Sequence, residues 1–246
     1  MNFEDQAVVV TGGTRGLGRA VALGFLEAGA TVHATYHSNE EAANAFADRC
    51  AEWPGRLRLY RFDVADHGAV EAFWNQLEED VPDGVQVLVN NSGIRRDALL
   101  ALMSPEDWSR VIETNLTGGY AMSKFAVRNM MTRRYGRIVF ITSPSGKLGF
   151  EGQGNYGASK AGQVGLMRSL AKEVAKRGIT VNCVSPGFVQ TELIEDLSDE
   201  LRKRYKEMVP ARRFGTPEEV AYAVRCVAAR EASYISGTIL EVSGGL

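Results

Sequence analysis

Short runs of β-branched residues alternate with longer helical patterns from one end of this chain to the other. Residues 7–10, 31–36, 56–62, 86–89, 137–142, 179–184 and 238–242 read as strands. Residues 16–28, 40–50, 69–79, 105–133 (with breaks), 155 to about 176 and 217–230 read as helices between them. A strand that must return parallel to its neighbour needs a crossover of a dozen or more residues, and a helix supplies it. The pattern predicts an α/β, doubly wound Rossmann fold: a single seven-stranded parallel sheet with helices on both faces. No linker rich in Pro, Gly or Ser and no solenoid repeat interrupts the 246 residues, so residues 1–246 read as one domain.

Ligands in such sheets bind outside the carboxyl ends of the strands, which directs attention to the turns there. The first is Thr11-Gly12-Gly13-Thr14-Arg15-Gly16-Leu17-Gly18. Its glycines at 12, 16 and 18 are spaced more loosely than Gly-x-Gly-x-x-Gly. A tight turn without a ligand is the plainer alternative. Strand, glycines and helix in that order favour a dinucleotide, whose pyrophosphate can meet backbone N–H groups at the helix start. No Gly-Lys-Ser/Thr follows, which excludes a Walker loop. The second strand ends in Thr35-Tyr36-His37-Ser38, where NAD sites often place Asp or Glu for the ribose hydroxyl. Glu40 and Glu41 fall inside the next helix. With Arg15 in the turn, the missing carboxylate leaves room for a 2′-phosphate, so NADP(H) is the expected cofactor. His37 reads equally as an exposed loop histidine.

Asn90-Asn91-Ser92-Gly93 ends the fourth strand and Ser143 the fifth, both on the ligand edge. Each is also an ordinary turn sequence. Asn115, among apolar neighbours, reads on its own as a satisfied buried amide. Tyr156 and Lys160 are four residues apart on a helix and so share a face. A phenol that gives up a proton near neutral pH must drop about three units, or about 4 kcal/mol. One charge at about 4 Å, at an effective dielectric of about 20, supplies about that much. Lys160 alone can therefore nearly suffice, although Tyr-x-x-x-Lys also occurs as a solvated surface pair.

Together these residues carry a family likeness. The chain resembles the short-chain dehydrogenase/reductase family from end to end, through Thr11–Gly18, Asn90–Gly93, Asn115, Ser143, Tyr156-x-x-x-Lys160 and Pro186-Gly187-Phe188-Val189-Gln190-Thr191. Within the family it looks most like the 3-oxoacyl-[acyl-carrier-protein] reductases. The stretches concerned are Arg96-Asp97, Gly136-Arg137-Ile138, Gly152-Gln153-Gly154-Asn155-Tyr156, Val209-Pro210-Ala211 and Val242-Ser243-Gly244-Gly245.

The resemblance implies that Tyr156 donates a proton, that Lys160 depresses its pKa and binds the nicotinamide ribose, and that Ser143 holds the substrate oxygen. Asn115 would hold a water that links Lys160 to solvent. Gly12, Gly13, Thr14, Arg15, Gly16, Leu17, His37, Asp63, Val64, Asn90, Ser92 and Gly93 would line the dinucleotide. Pro186, Gly187, Val189 and Thr191 would line its carboxamide end. Arg134 and Arg177 would meet an acidic acyl-carrier protein; the plainer reading is dipole-favoured cations at helix ends, with Arg128, Arg133, Arg137, Lys172 and Lys176. Leu193, Ile194, Leu197, Leu201, Tyr205 and Met208 recur at helical spacing where the family carries a flap over the site, though such a stripe is more often core. Ala158, Gly162, Gly165 and Ser169 form a small-residue row suited to close helix pairing in a homotetramer. Two positions depart from the family: Ser92 stands where Ala is usual, and Pro144 directly follows Ser143. Gly13 and Gly157 are expected to matter less.

Composition narrows the alternatives. A formal net charge of −2 argues against a nucleic-acid binder. Three scattered cysteines suggest a reducing compartment, and no apolar run approaches a membrane span. No signal peptide is visible at the N-terminus, so the expected location is cytoplasmic. The three histidines all lie in the first third and no Gly-x-Ser-x-Gly elbow occurs, which disfavours a Ser-His-Asp hydrolase. No Cys/His cluster has metal-ligand spacing. A reductase of a free ketone and a catalytically silent NADP-binding scaffold remain the alternatives.

Overall fold

The computed structural model describes residues 1–191 and 198–246. Seven strands form one all-parallel sheet in the order β3-β2-β1-β4-β5-β6-β7. They are β1 (Ala7–Val10), β2 (Thr31–Tyr36), β3 (Leu57–Arg61), β4 (Val87–Asn90), β5 (Gly136–Ile141), β6 (Ile179–Pro186) and β7 (Ile239–Val242). The helices are α1 (Gly16–Glu27), α2 (Glu40–Arg49), α3 (His67–Asp80), α4 (Pro105–Ile112), α5 (Gly118–Arg133), α6 (Ser145–Leu148), α7 (Gly154–Val174), α8 (Asp199–Met208) and α9 (Pro217–Ala228). The doubly wound Rossmann architecture expected from the alternation is the one observed.

Successive residues of a strand point to opposite faces, and both faces here are covered. Val8, Val10, Val139 and Ile141 enter one core with Phe25, Val220 and Val224 from α1 and α9. Val9, Leu88, Ile138 and Phe140 enter the other with Trp74, Met122 and Phe125 from α3 and α5. β1, β4, β5 and β6 are buried along their whole lengths, whereas the edge strands β3 and β7 are partly exposed. The chain winds outward from β1 to β3, then returns to place β4 on the other side of β1. The carboxyl ends of β1 and β4 therefore diverge into a crevice.

The long helical pattern of residues 105–133 breaks where one wide π-type turn, Glu113–Thr117, joins α4 to α5. Such turns concentrate at functional positions, and this one turns Thr114 and Asn115 inward. Pro144 opens the short α6 in helical geometry, a position that tolerates proline because its missing N–H has no intrahelical partner.

Arg137 departs from expectation. It is not part of a surface basic cluster but is buried in β5, only 2% exposed. Its guanidinium donates to the carbonyls of Ala229 (3.1 Å), Arg230 (3.2 Å), Gly136 (2.9 Å) and Gly178 (3.4 Å) and lies 4.5 Å from the Tyr135 ring centre. It thus closes the carboxyl end of α9, where the helix dipole favours a cation. Burial lowers its pKa from the usual value. Arg137→Met keeps most of the stem and removes the donors, leaving buried carbonyls unpaired. Urea denaturation should show a loss of about 3 kcal/mol, and Arg137→Lys should recover only part of it, because an ammonium cannot span four carbonyls.

Candidate functional site

The crevice is built from two turns stapled together. Thr11 Oγ1 accepts from the N–H groups of Asn91 and Ser92, each at 2.9 Å. Asn91 Nδ2 donates to the carbonyls of Thr11 (2.9 Å) and Gly12 (3.1 Å). Asn91 was not among the expected site residues. Its signal was alternation: of two adjacent asparagines leaving a strand, only one can face the glycine turn. Asn90 faces the other way, donating to Ser123 Oγ at 2.9 Å.

Gly12 and Gly16 adopt positive φ, 62° and 50°, which favours glycine. A Cβ on Gly18 would run into the Gly12 carbonyl. Gly13 matters more than expected: a Cβ there would sit 2.9 Å from Ala34 Cβ and 3.0 Å from the Val10 carbonyl. Gly157 also has little room, since its Cβ would lie 3.1 Å from the Ser145 carbonyl.

The turn suits a bound dinucleotide. α1 starts with no side-chain cap and no acidic residue in its first turn, so its N-terminal N–H groups are available to an anion. α2, α3, α4, α8 and α9 are capped by Asn39, Asp66, Ser104, Ser198 and Thr216, whereas α5, α6 and α7 share the uncapped start without following a glycine turn at the end of a strand. Among the described residues, buried Asn90 Oδ1 and Thr114 Oγ1 beside the crevice have no hydrogen-bond partner.

At the far end of the crevice, His37 and Arg15 are exposed. Glu40 is engaged by Arg61 at 3.3 Å. Asp63 accepts from the Ala65 N–H and from Arg110 at 2.7 Å, and lies 3.8 Å from His37 Nε2. Burial raises its carboxyl pKa, but these donors outweigh burial and hold it below the ordinary value. Arg110 was another residue the sequence did not single out; only the fold brings α4 against the end of β3. Val64 is buried against Gly118, where an added Cβ would lie 2.9 Å from the Val64 carbonyl. Gly187 donates to the Val242 carbonyl at 3.0 Å, and Val189 pairs with Gly215. This holds the loop after Pro186 against the end of the sheet. Thr191 follows two residues after Val189; Leu193, Ile194 and Leu197 lie outside the described residues.

Ser143, Tyr156, Lys160 and Asn115 meet at the carboxyl end of β5. Asn115 Oδ1 accepts from the Ile94 N–H (2.8 Å), and its Nδ2 donates to the Ile94 carbonyl (3.0 Å) and to Ser159 Oγ (3.1 Å). Gln163 Nε2 donates to the Asn115 carbonyl at 2.7 Å. Next to Asn115, a Cβ on Gly93 would touch Asn115 Oδ1 at 3.4 Å and Lys160 Nζ at 3.5 Å. Ser143 Oγ accepts from the Ser145 N–H (3.2 Å) and donates to Ser145 Oγ (3.1 Å). Tyr205, from the apolar stripe, stacks on Phe188 at 4.5 Å, and Phe150 lies 6.2 Å from Phe188. Met208 is exposed.

The electrostatics differ from the simple Tyr-Lys expectation. Burial raises the Tyr156 phenol above its ordinary pKa; the Ser143 hydroxyl and the Arg95 charge oppose this, and Asp97 adds to it. Lys160 Nζ lies 5.5 Å from the Tyr156 ring centre and donates to the Ile141 carbonyl at 2.7 Å. Burial lowers the Lys160 pKa to about 8. Lys160 is thus held beneath the ring by the sheet rather than against the phenol oxygen.

The fold and this arrangement at its carboxyl edge define an α/β dinucleotide-dependent oxidoreductase. A family model described as Enoyl-(Acyl carrier protein) reductase matches residues 12–246. The chain belongs to the short-chain dehydrogenase/reductase family. It is 44% identical, over 100% of its length and 99% of the relative's, to the 3-oxoacyl-[acyl-carrier-protein] reductase FabG of Escherichia coli (strain K12). The FabG of Vibrio harveyi is likewise 44% identical with the same coverage, and that of Aquifex aeolicus (strain VF5) is 41% identical over 100% of this chain and 99% of its own.

The lowered Lys160 pKa gives a test of this geometry. The unfolded chain holds the proton up to an ordinary 10.5 and the folded chain only up to about 8. Between these values the unfolded state binds more protons, so stability rises with pH. The contribution is fully present above the unfolded value and lost as pH falls through about 8. Denaturation midpoints should therefore show wild type gaining on Lys160→Met as pH climbs through that window.

Proposed function

We propose that this protein reduces a 3-oxoacyl thioester on an acyl-carrier protein to the 3-hydroxyacyl product, with NADPH as hydride donor. The observation that carries the proposal is the convergence of Ser143, Tyr156, Lys160 and Asn115 beside a phosphate-ready glycine turn, in a chain alike over its whole length to reductases named for that reaction.

The bound cofactor would supply the hydride to the 3-carbonyl carbon. The Ser143 hydroxyl, turned away from Ser145 Oγ, would donate a hydrogen bond to the substrate oxygen, and the Tyr156 phenol would give it a proton as negative charge builds. Lys160 would favour the phenolate left behind and anchor the nicotinamide ribose. Asn115, braced by Ile94, Ser159 and Gln163, would keep the proton route to Lys160 in register. Gly12, Gly13, Thr14, Gly16, Leu17, Ser92 and Gly93 would hold the pyrophosphate and its ribose, and Pro186, Gly187, Val189 and Thr191 the carboxamide. Preference for the 2′-phosphate is read from Arg15 and His37, with Glu40 held by Arg61. Phe150, Phe188 and Tyr205 offer an apolar wall to the acyl chain. A cytoplasmic location accords with the reducing composition; no helix among the described residues is long and apolar enough to cross a membrane.

We also propose a homotetramer. Within the small-residue row, Gly162 packs inside the chain against Leu116, but Ala158, Gly165 and Ser169 are exposed.

Tyr156→Phe should cut turnover of NADPH with a 3-oxoacyl-carrier substrate by about 10²–10⁴. Cofactor affinity should stay near wild type, and NADPH should be used well ahead of NADH. A loss under about tenfold would remove the donor role from Tyr156. Faster turnover with free ketones than with the carrier substrate would favour the free-ketone reading.

Arg134 and Arg177 are both exposed, and Arg134 Nη2 donates to the Lys176 carbonyl at 3.0 Å, tying the ends of α5 and α7 together. This pair lies at the amino ends of β5 and β6, about 20 Å along the sheet from the reacting residues. A long carrier arm or a neighbouring copy must bridge that span. Arg134→Glu with Arg177→Glu should raise KM for the carrier substrate and hardly change kinetics on a small free thioester. The effect should weaken with salt. Equal loss on both substrates, or a lowered melting temperature, would mark the arginines as structural.

A further inference from the structure

The residue that follows the Asn115-clamped Ile94 is a cation. Arg95 holds its guanidinium carbon 5.8 Å from the Tyr156 ring centre, nearly the same distance as Lys160 Nζ at 5.5 Å. Its position is fixed from both sides. Ile94 is hydrogen-bonded to Asn115 through both its N–H and its carbonyl. Asp97 grips the guanidinium through Nε at 3.3 Å and through Nη2. Asp97 is itself held: Gln153 Nε2 donates to it at 3.2 Å, and Ser145 Oγ donates to Gln153 Oε1 at 3.0 Å. Ser143 Oγ in turn donates to Ser145 Oγ, so the polar chain from Arg95 ends on the residue expected to hold the substrate oxygen.

We propose that Arg95 is a positioning residue of this reductase, a second cation that favours the Tyr156 phenolate from the solvent side while Lys160 does so from the buried side. This rests on the reading of Tyr156 as proton donor. The charged and titratable groups facing the phenol are Arg95 and Asp97 after β4, Lys160 on α7, and Tyr205 of α8 near Arg95. The Ser143 hydroxyl completes the set. Arg95 and Ser143 favour the ionised phenol and Asp97 opposes it, and Lys160 adds to them while it carries its proton. Of the two cations, the guanidinium is permanently charged, whereas Lys160 loses its proton near pH 8. Arg95 therefore continues to act where Lys160 has become neutral. Arginine also fits the fork-to-carboxylate geometry that a lysine cannot match.

The test is the titration of the Tyr156 phenol itself, read as ultraviolet difference absorbance of the folded enzyme. The transition missing from Tyr156→Phe identifies it among the tyrosines. The variants are Arg95→Gln, Arg95→Met, Arg95→Lys and Asp97→Asn. The phenol should titrate at higher pH in the Gln and Met variants, near wild type in the Lys variant, and lower in Asp97→Asn. The pH profile of kcat/KM for alcohol oxidation, which needs the ionised phenol, should move in the same order. An unmoved phenol in folded Arg95→Gln or Arg95→Met overturns the proposal. So does a change confined to KM, which would make Arg95 a substrate contact. If both neutral variants fail to fold, Asp97→Asn decides the matter alone: a phenol that does not titrate at lower pH there overturns the proposal. Retained turnover in Tyr156→Phe would dismiss the donor role and leave the titration result standing, so the two readings fail separately.

Discussion

Every strand of the sheet runs in the same direction, and the rest of the molecule follows from that constraint. Parallel pairing forces each connection across a face, so both faces are covered and the central strands are apolar throughout. It also places all seven carboxyl ends on one edge. The order reverses between β1 and β4, and no connection bridges the gap there. Backbone groups at that gap would lack partners without Asn91, which reaches across to the carbonyls of Thr11 and Gly12. The glycine turn is thus held open by a side chain from the opposite loop, with the uncapped start of α1 facing the crevice.

Tyr156 and Lys160 illustrate how burial and charge are balanced. Burying a phenol and an ammonium raises the first pKa and lowers the second, which works against a proton donor near neutral pH. Partial answers come from polar neighbours. Lys160 is anchored by the Ile141 carbonyl, while Ser143 and Arg95 draw the phenol back toward its ordinary range. Arg137 resolves a similar conflict at the opposite edge, where a buried guanidinium without a carboxylate is stabilised by four carbonyls at helix and strand ends.

How far the sequence could be read depended on whether a feature was local. The strands and helices were legible because a half-buried helix and a fully buried strand have different periods, and each repeats within a few residues. The glycine turn, the Asn turn and Tyr156-x-x-x-Lys160 were legible for the same reason. Asn91, Arg95, Arg110 and Arg137 were not given their roles, since each acts on a partner distant in sequence or across a turn. Arg137 was grouped with surface cations because its neighbours in sequence are basic. Gly13 was underrated because the strand that crowds it, β2, lies some twenty residues away.

By itself, then, the sequence determined the α/β class, the strand count and the sheet edge that carries the glycine turn, the Asn turn and Ser143. Class and count rest on hydrophobic periodicity, whereas the grouping of Ser143 with Tyr156 and Lys160 rests on the family resemblance. Tertiary structure decided which of two asparagines staples the crevice, which arginine faces the phenol and which is core, and whether Lys160 points at the phenol or at the sheet. Those outcomes depend on charge and packing summed over segments far apart in the chain, and Coulomb and desolvation energies follow distance in space rather than separation in sequence.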